Sequence, residues 1–132
     1  MEGTEIERLS YFRFEHLNTM VMFSGEKYTV SLMADGQVRL VIDEGFPGEK
    51  DLVLDDTSIF DGLLAILKDY RTDRYKKSYR RRFLVRDGDS WSLEYRFDSG
   101  RSVSSEGYMA WPRNYNEMRG ALASFFLKWR EA

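Results

Sequence analysis

Between Trp91 and Phe97 the side chains alternate strictly, with Trp91, Leu93, Tyr95 and Phe97 on one side and Ser92, Glu94 and Arg96 on the other. A repeat of two is that of a half-buried β-strand, and Asp98-Ser99-Gly100 supplies a turn. A second strand runs through Val103 to Glu106-Gly107-Tyr108, and Trp111-Pro112 leads into an amphipathic segment from about Asn114 to Arg130. There Met118, Ala121, Leu122, Phe125, Phe126 and Trp129 recur at helical spacing, and Asn114 with Glu117 has the spacing of a capping box. The unit is a hairpin, an aromatic corner and a helix, and the rest of the chain is organised around it.

The same order can be traced upstream. From Leu9 to Phe23 the pattern is strand-like, with Phe12, Phe14 and His16 on one side and Tyr11, Arg13 and Glu15 on the other. Asn18-Thr19 interrupts it as a bulge would. Met20 to Phe23 is an unbroken apolar run, expected where a strand is covered on both faces. Ser24-Gly25-Glu26 reads as a turn, followed by a strand with Tyr28, Val30 and Leu32 on one face. Asp35-Gly36 is a hairpin signal before Val38, Leu40 and Ile42. A turn-rich acidic connection through Glu44-Gly45-Phe46-Pro47-Gly48 then reaches Asp55-Asp56-Thr57-Ser58, where Ser58 and Asp61 have capping-box spacing. Ile59, Phe60, Leu63, Leu64, Ile66, Leu67 and Tyr70 make a wide helical stripe. Gly62, worth about 1 kcal/mol less than alanine inside a helix, hints at close packing against a strand.

Both halves therefore read as three strands and a helix, with half-repeats over residues 9–75 and 80–132. Tyr28 to Leu32 with Asp35-Gly36 matches Trp91 to Tyr95 with Asp98-Ser99-Gly100. Glu44-Gly45-Phe46 matches Glu106-Gly107-Tyr108. The alternative is that any two meanders look alike, since such turns are generic. Either way the expected fold is one α+β domain over residues 1–132, a single antiparallel sheet of about six strands with two helices on one face. If one interior is shared, Trp91 and Phe126 belong to the same core.

The Asn-Thr-Met break at residues 18–20, the hairpins led by Tyr28 and Trp91, and Gly107-Tyr108-Met109-Ala110-Trp111-Pro112 before the last helix carry a resemblance. The chain resembles small uncharacterised bacterial α+β domains over most of its length. That resemblance implies a fold and a bacterial source but no activity, since those domains have no assigned function.

Composition narrows the field further. A chain of 132 residues with 42% apolar residues can bury one core, and three Trp, eight Tyr and nine Phe make that core bulky. The absence of cysteine excludes disulfides, a thiol nucleophile and thiolate metal sites. The first residues, Met1 to Glu7, are acidic and lack the pattern of a secretory signal, and no apolar run approaches the roughly 18 residues of a membrane span. These features favour a cytoplasmic protein with no membrane partner.

Candidate chemistry is sparse. His16 is the only histidine, and it shares a strand face with Phe12 and Phe14, the setting of a hydrogen-bonded core or edge imidazole. Ser99, Ser102, Ser104 and Ser105 lie in and after a turn, and no nucleophile elbow, phosphate-binding loop or dinucleotide fingerprint is present. One histidine without cysteine leaves only oxygen ligands for a metal, and the seven carboxylates from Asp43 to Asp61 lack EF-hand spacing. No cofactor, metal site or catalytic residue is assigned. An enzyme would need a cleft with polar groups converging near His16 or the carboxylates.

Charge is unevenly distributed. Nine cations, Lys68, Arg71, Arg74, Lys76, Lys77, Arg80, Arg81, Arg82 and Arg86, face two aspartates within residues 68–86, a local charge of +7. With a total of −2, the remainder carries −9. Interleaved Tyr70, Tyr75 and Tyr79 could stack on bases while the cations meet phosphates. The alternative is a solvated helix end and strand edge, where such cations discourage edge pairing. Attraction between acidic and basic stretches could also pair two copies as a homodimer or steer a protein partner. Tyr108, Met109, Trp111 and Tyr115 cluster before the last helix, and such residues are enriched in interfaces. The alternative there is a plug at the end of the core. The leading expectation is a non-catalytic protein-interaction or regulatory module, with nucleic-acid binding through residues 68–86 as the runner-up.

Overall fold

The period-two segments become strands in a computed structural model, which describes residues 7–18, 24–45, 49–80 and 88–131. In chain order these are β1 (Leu9–Asn18), β2 (Ser24–Leu32), β3 (Val38–Gly45), β4 (Glu49–Leu54), α1 (Ser58–Asp69), β5 (Ser78–Arg80), β6 (Asp89–Phe97), β7 (Ser102–Tyr108) and α2 (Tyr115–Arg130). A short 3₁₀ turn at Thr72–Arg74 links α1 to β5. The seven strands form one sheet in the order β4-β3-β2-β1-β6-β7-β5. Neighbours are antiparallel except β5, which runs parallel to β7.

The sheet is thus mixed and seven-stranded rather than antiparallel with about six strands. Two short edge strands account for the difference. β4 lies in the stretch read as an acidic connection. It alternates half-buried Lys50, Leu52 and Leu54 with exposed Glu49, Asp51 and Val53, too few apolar residues to stand out. β5 has only three residues and lies in the basic stretch. Four strands precede α1 and three precede α2, so the twice-repeated order of three strands and a helix is not the one observed.

What the halves do share is a hairpin. β2–β3 and β6–β7 flank β1, and their turns bond alike: Met33 N donates to Gln37 O at 2.8 Å and Phe97 N to Arg101 O at 2.8 Å. In each, a glycine with positive φ closes the loop, Gly36 at +87° and Gly100 at +95°, conformations that a Cβ would strain.

Register on β1 sets the interior. Phe12 lies opposite Val30 and Tyr95, and Phe14 opposite Tyr28 and Leu93, all buried on one face of the sheet. The other face carries Tyr11, Arg13, Glu15, Glu94 and Arg96, half-buried or exposed, with Arg96 over the Tyr11 ring at 4.2 Å. Both helices pack on the apolar face. Ile59, Phe60, Leu63 and Leu67 of α1 and Tyr115, Met118, Leu122 and Phe126 of α2 join one buried cluster that contains Trp91 and Phe126 together. Phe126 stacks on Tyr28 with ring centroids 4.4 Å apart and lies 6.1 Å from Phe12. Burial of such a ring contributes roughly 2 kcal/mol.

Several local expectations need correction. Ser24-Gly25-Glu26 is not a turn but the start of β2, where Gly25 pairs with Leu17 and Glu26 with His16. A Cβ at Gly25 would come within 2.9 Å of the His16 carbonyl oxygen, so close strand approach, not turning, is the reason for glycine there. Gly62 faces Phe125 of α2, so it permits helix-on-helix rather than helix-on-strand contact. The register on β6 shifts between Leu9 and Tyr11, and β1 ends at Asn18, so the expected break at Asn18-Thr19 falls at the edge of the described residues. Neither capping box forms. Asp56 accepts from Ser58 N at 2.9 Å and Ser58 Oγ at 2.8 Å at the start of α1, and Asn114 is engaged elsewhere. The Ser58 donors hold the Asp56 carboxyl below its usual range. The Met20–Phe23 run, Thr19, Phe46 to Gly48, and the end of the basic segment from Arg81 to Arg86 lie outside the described residues.

Candidate functional site

A third row crosses the sheet beyond the Phe12 and Phe14 rows, and its chemistry changes. His16 of β1 lies opposite Glu26 of β2 and Trp91 of β6, with Gly107 of β7 next in line. A Cβ at Gly107 would clash with the Trp91 indole nitrogen, which instead donates to Ala110 O at 2.8 Å. That bond folds residues 108–114 back over the start of β6. Met109, with φ +53°, secures the turn: its N donates to Asp89 O at 2.9 Å and its sulfur accepts from Asp89 N at 3.0 Å.

The return brings α2 in with Tyr115 aimed at the row. Its hydroxyl lies 2.6 Å from His16 Nδ1, and His16 Nε2 lies 2.9 Å from Asp89 Oδ2. An ionised carboxylate can only accept, so Nε2 carries the proton and donates to Asp89. Burial pushes the Tyr115 hydroxyl far above its ordinary pKa, so it stays protonated beside Nδ1. The imidazole is 4% exposed and both nitrogens are used within the protein. It has the composition of a catalytic relay, held beneath the surface by Tyr115 on one side and Asp89 on the other.

One turn further along α2, Arg119 Nε donates to Glu26 Oε1, and Tyr28 donates to Glu26 Oε2 at 2.9 Å. The helix is pinned across the sheet by a row of such contacts. Arg130 pairs with Glu44 of β3 at 2.5 Å, and Lys50 of β4 reaches Trp129 O at 3.4 Å. At the head of this row lies a cleft of about 390 Å³. Its floor is His16, Asp89 and Tyr115; Trp111 and Pro112 form an apolar wall, and Arg113, Asn116 and Arg119 line the rest. Arg113 is exposed and makes no ion pair or hydrogen bond with any described residue. The Trp111 indole N–H is buried without an acceptor among the described residues, at a cost of roughly 1–3 kcal/mol.

The expected interaction cluster is therefore divided. Tyr108, Met109 and Trp111 are half-buried at the rim. Tyr115 is 3% exposed, a correction to its reading as a contact residue. Its ring packs 5.0 Å from Trp91 and 6.4 Å from Trp111, which makes it the plug of the core. Sequence reasoning overlooked Asp89, Glu26, Arg113, Asn116 and Arg119. The one available signal was the lone histidine on an apolar strand face, whose partners must come from elements that alternation alone cannot place.

The basic segment is laid out differently. Arg71, Arg74, Lys76, Lys77 and Arg80 are exposed, Arg71 in a left-handed conformation just past the end of α1. Arg80 pairs with Glu106 at 2.9 Å. Arg81 and Arg82 lie outside the described residues. Tyr75 and Tyr79 pack toward Trp91, and the Lys76 ammonium lies 6.0 Å from the Tyr79 ring centroid. Tyr75 donates to Asn114 Oδ1 at 2.6 Å and packs edge-on to Trp91 at 6.4 Å, and Tyr79 lies 5.8 Å from Trp91 while its hydroxyl accepts from Lys76 N at 2.9 Å. Tyr70 also packs against the core. Among the described residues, the three tyrosine rings of this segment are half-buried rather than fully exposed.

Among the described residues no group of three or more acidic or histidine side chains could hold a metal ion, and no helix is long and apolar enough to cross a membrane. No protein-family model matches the chain, and no curated protein does. The resemblance to small bacterial domains rests on the residues quoted for it alone.

Proposed function

We propose that the domain is a non-catalytic protein-interaction or regulatory module of the bacterial cytoplasm, and that its partner docks at the cleft at the head of α2. The observation that carries this reading is the cleft itself. An apolar wall of Trp111 and Pro112 meets arginine donors there, over an imidazole whose two nitrogens are already committed. Aromatic and arginine side chains at the edge of a pocket are the usual anchors of an interface. His16 is 4% exposed, which leaves its ring little direct contact with anything bound in the cleft and supports the non-catalytic reading.

Nucleic-acid binding through residues 68–86 ranks second. Its cations are exposed, but the tyrosines that would stack on bases pack against Trp91 and the core. The test is affinity capture from native lysate, with and without nuclease, comparing the natural chain with Asn116→Trp. Asn116 is exposed on the first turn of α2, so a large ring there fills the mouth of the cleft without disturbing the core. Loss of a captured protein, with capture unaffected by nuclease, is expected. A second copy of the chain would register in the same experiment as a homodimer. Capture that survives Asn116→Trp would place the partner elsewhere, and capture abolished by nuclease would favour the second reading.

A further inference from the structure

Resting on the reading above, we infer that the cleft at the head of α2 receives a carboxylate, so that the segment of the partner that docks there is acidic. The inference comes from counting which polar atoms around the cleft are already used. Two carboxylates stand near it. Glu26 is 13% exposed and has both oxygens engaged, one by Arg119 Nε and the other by the Tyr28 hydroxyl. Asp89, 30% exposed, accepts the hydrogen bond from His16 Nε2 on Oδ2. The acceptors are largely spent inside the protein.

The donors are not. Arg119 uses only Nε, leaving its terminal amino groups without a partner among the described residues, and its side chain is 37% exposed. Arg113 has none of its five N–H donors bonded to a described residue. Asn116 adds an exposed amide beside them. Arg113 and Arg119 both line one concave site with guanidinium donors to spare, and such groups recognise a carboxylate with two parallel bonds. Trp111 and Pro112 add apolar surface to the same cleft and reduce the water that would compete for those bonds. Asp89 sets the limit of the site: its charge disfavours a second anion beside the first, so a single carboxylate is accommodated, seated toward Arg113.

The probe is a short blocked peptide of glutamates, compared with the same peptide of glutamines and with inorganic phosphate. Binding is followed by titration calorimetry and by backbone and side-chain amide spectra. The glutamate peptide should shift the signals of Trp111, Arg113 and Asn116 and bind about tenfold more weakly to Arg113→Gln, a change of about 1.4 kcal/mol. Arg119→Lys, which keeps a charge for Glu26 but loses the planar fork, should weaken binding in the same direction. The glutamine peptide should leave those signals in place. Shifts confined to Lys76, Lys77 and Arg71, or an unchanged affinity in Arg113→Gln, would overturn the inference. So would displacement of the peptide by phosphate at equal concentration, which would mark a general oxyanion site. The lysate experiment separates the two levels. Partner capture lost in Asn116→Trp but retained in Arg113→Gln would leave the docking reading standing and the carboxylate rejected, whereas retention in both would reject both.

Discussion

The corner formed by residues 108–119 and the basic edge formed by residues 68–80 are both rich in tyrosine and arginine, yet they are built on opposite plans. At the corner the aromatic rings and the imidazole are tied into the sheet through named partners, and the donors left over converge on a cleft. At the basic edge the described cations are exposed, with Arg80 paired to Glu106 and Lys76 over the Tyr79 ring, while Tyr75 and Tyr79 pack toward Trp91. Residue type alone gives both stretches equal standing as recognition surfaces. What separates them is which polar atoms have been spent on holding the fold together.

The comparison can be broken most sharply at Gly107. A methyl group there collides with the Trp91 indole and with Ala110 O, so Gly107→Ala should cost about 3 kcal/mol in urea unfolding, the upper range for overpacking. A loss below about 1 kcal/mol would mean that the corner yields easily and is not a fixed platform. Next comes His16. Its replacement by Ala leaves the Tyr115 hydroxyl and Asp89 without their shared partner and should cost about 2–3 kcal/mol. A double-mutant cycle with Tyr115→Phe should show coupling of about 1 kcal/mol, and additivity would sink the network.

Alkaline pH probes the same region without mutation. Burial raises the Tyr115, Tyr28 and Tyr75 hydroxyls above their ordinary values, for Tyr28 with Glu26 adding to it. A folded-state pKa above the unfolded one means that this contribution is complete below about pH 10 and is lost as pH rises beyond it. Stability should hold from neutral pH to about 10 and then fall as tyrosinate absorbance appears. Ionisation of Tyr28, Tyr75 or Tyr115 itself near pH 10 with no loss of structure, followed by their ring resonances, would contradict the burial of these rings.

The smallest effects belong to the exposed positions. Gly120 on α2 has nothing within 4 Å of where a Cβ would lie, so Gly120→Ala should stabilise by about 0.8 kcal/mol. Arg71, Arg74 and Lys77 changed together to Glu should shift stability by no more than about 0.5 kcal/mol per residue. Heparin retention of the natural chain, measured against salt, then sharpens the functional side of the comparison. Steep salt-dependent retention that this triple change abolishes would restore the basic edge as a binding surface.

Much of the fold was legible because long strands and helices leave periodic traces. The buried faces of β6 and α2 follow directly from alternation through Trp91 to Phe97 and from the spacing of Met118, Leu122 and Phe126. The edge strands were not legible, because β4 mixes charge with three apolar residues and β5 is too short to show a period. Caps misled for a related reason. Asn114 has the right spacing, but its side chain is drawn to Tyr75 and to Tyr70 O, contacts 39 and 44 residues away in sequence that no local rule contains. The site suffered most. His16 was placed on the correct face, but Asp89 and Tyr115 reach it across separations of 73 and 99 residues, so the network exists only once register and return path are known.

The central claim, that recognition happens at the cleft and not at the basic edge, is tested most directly by site-specific photo-crosslinking in cells. A photoreactive side chain is introduced in place of Asn116 and, in a separate chain, in place of Lys77. Covalent protein adducts from position 116 that persist after nuclease treatment, with none from position 77, are the expected result. Adducts from position 77 alone, or nucleic acid as the crosslinked species, would contradict it.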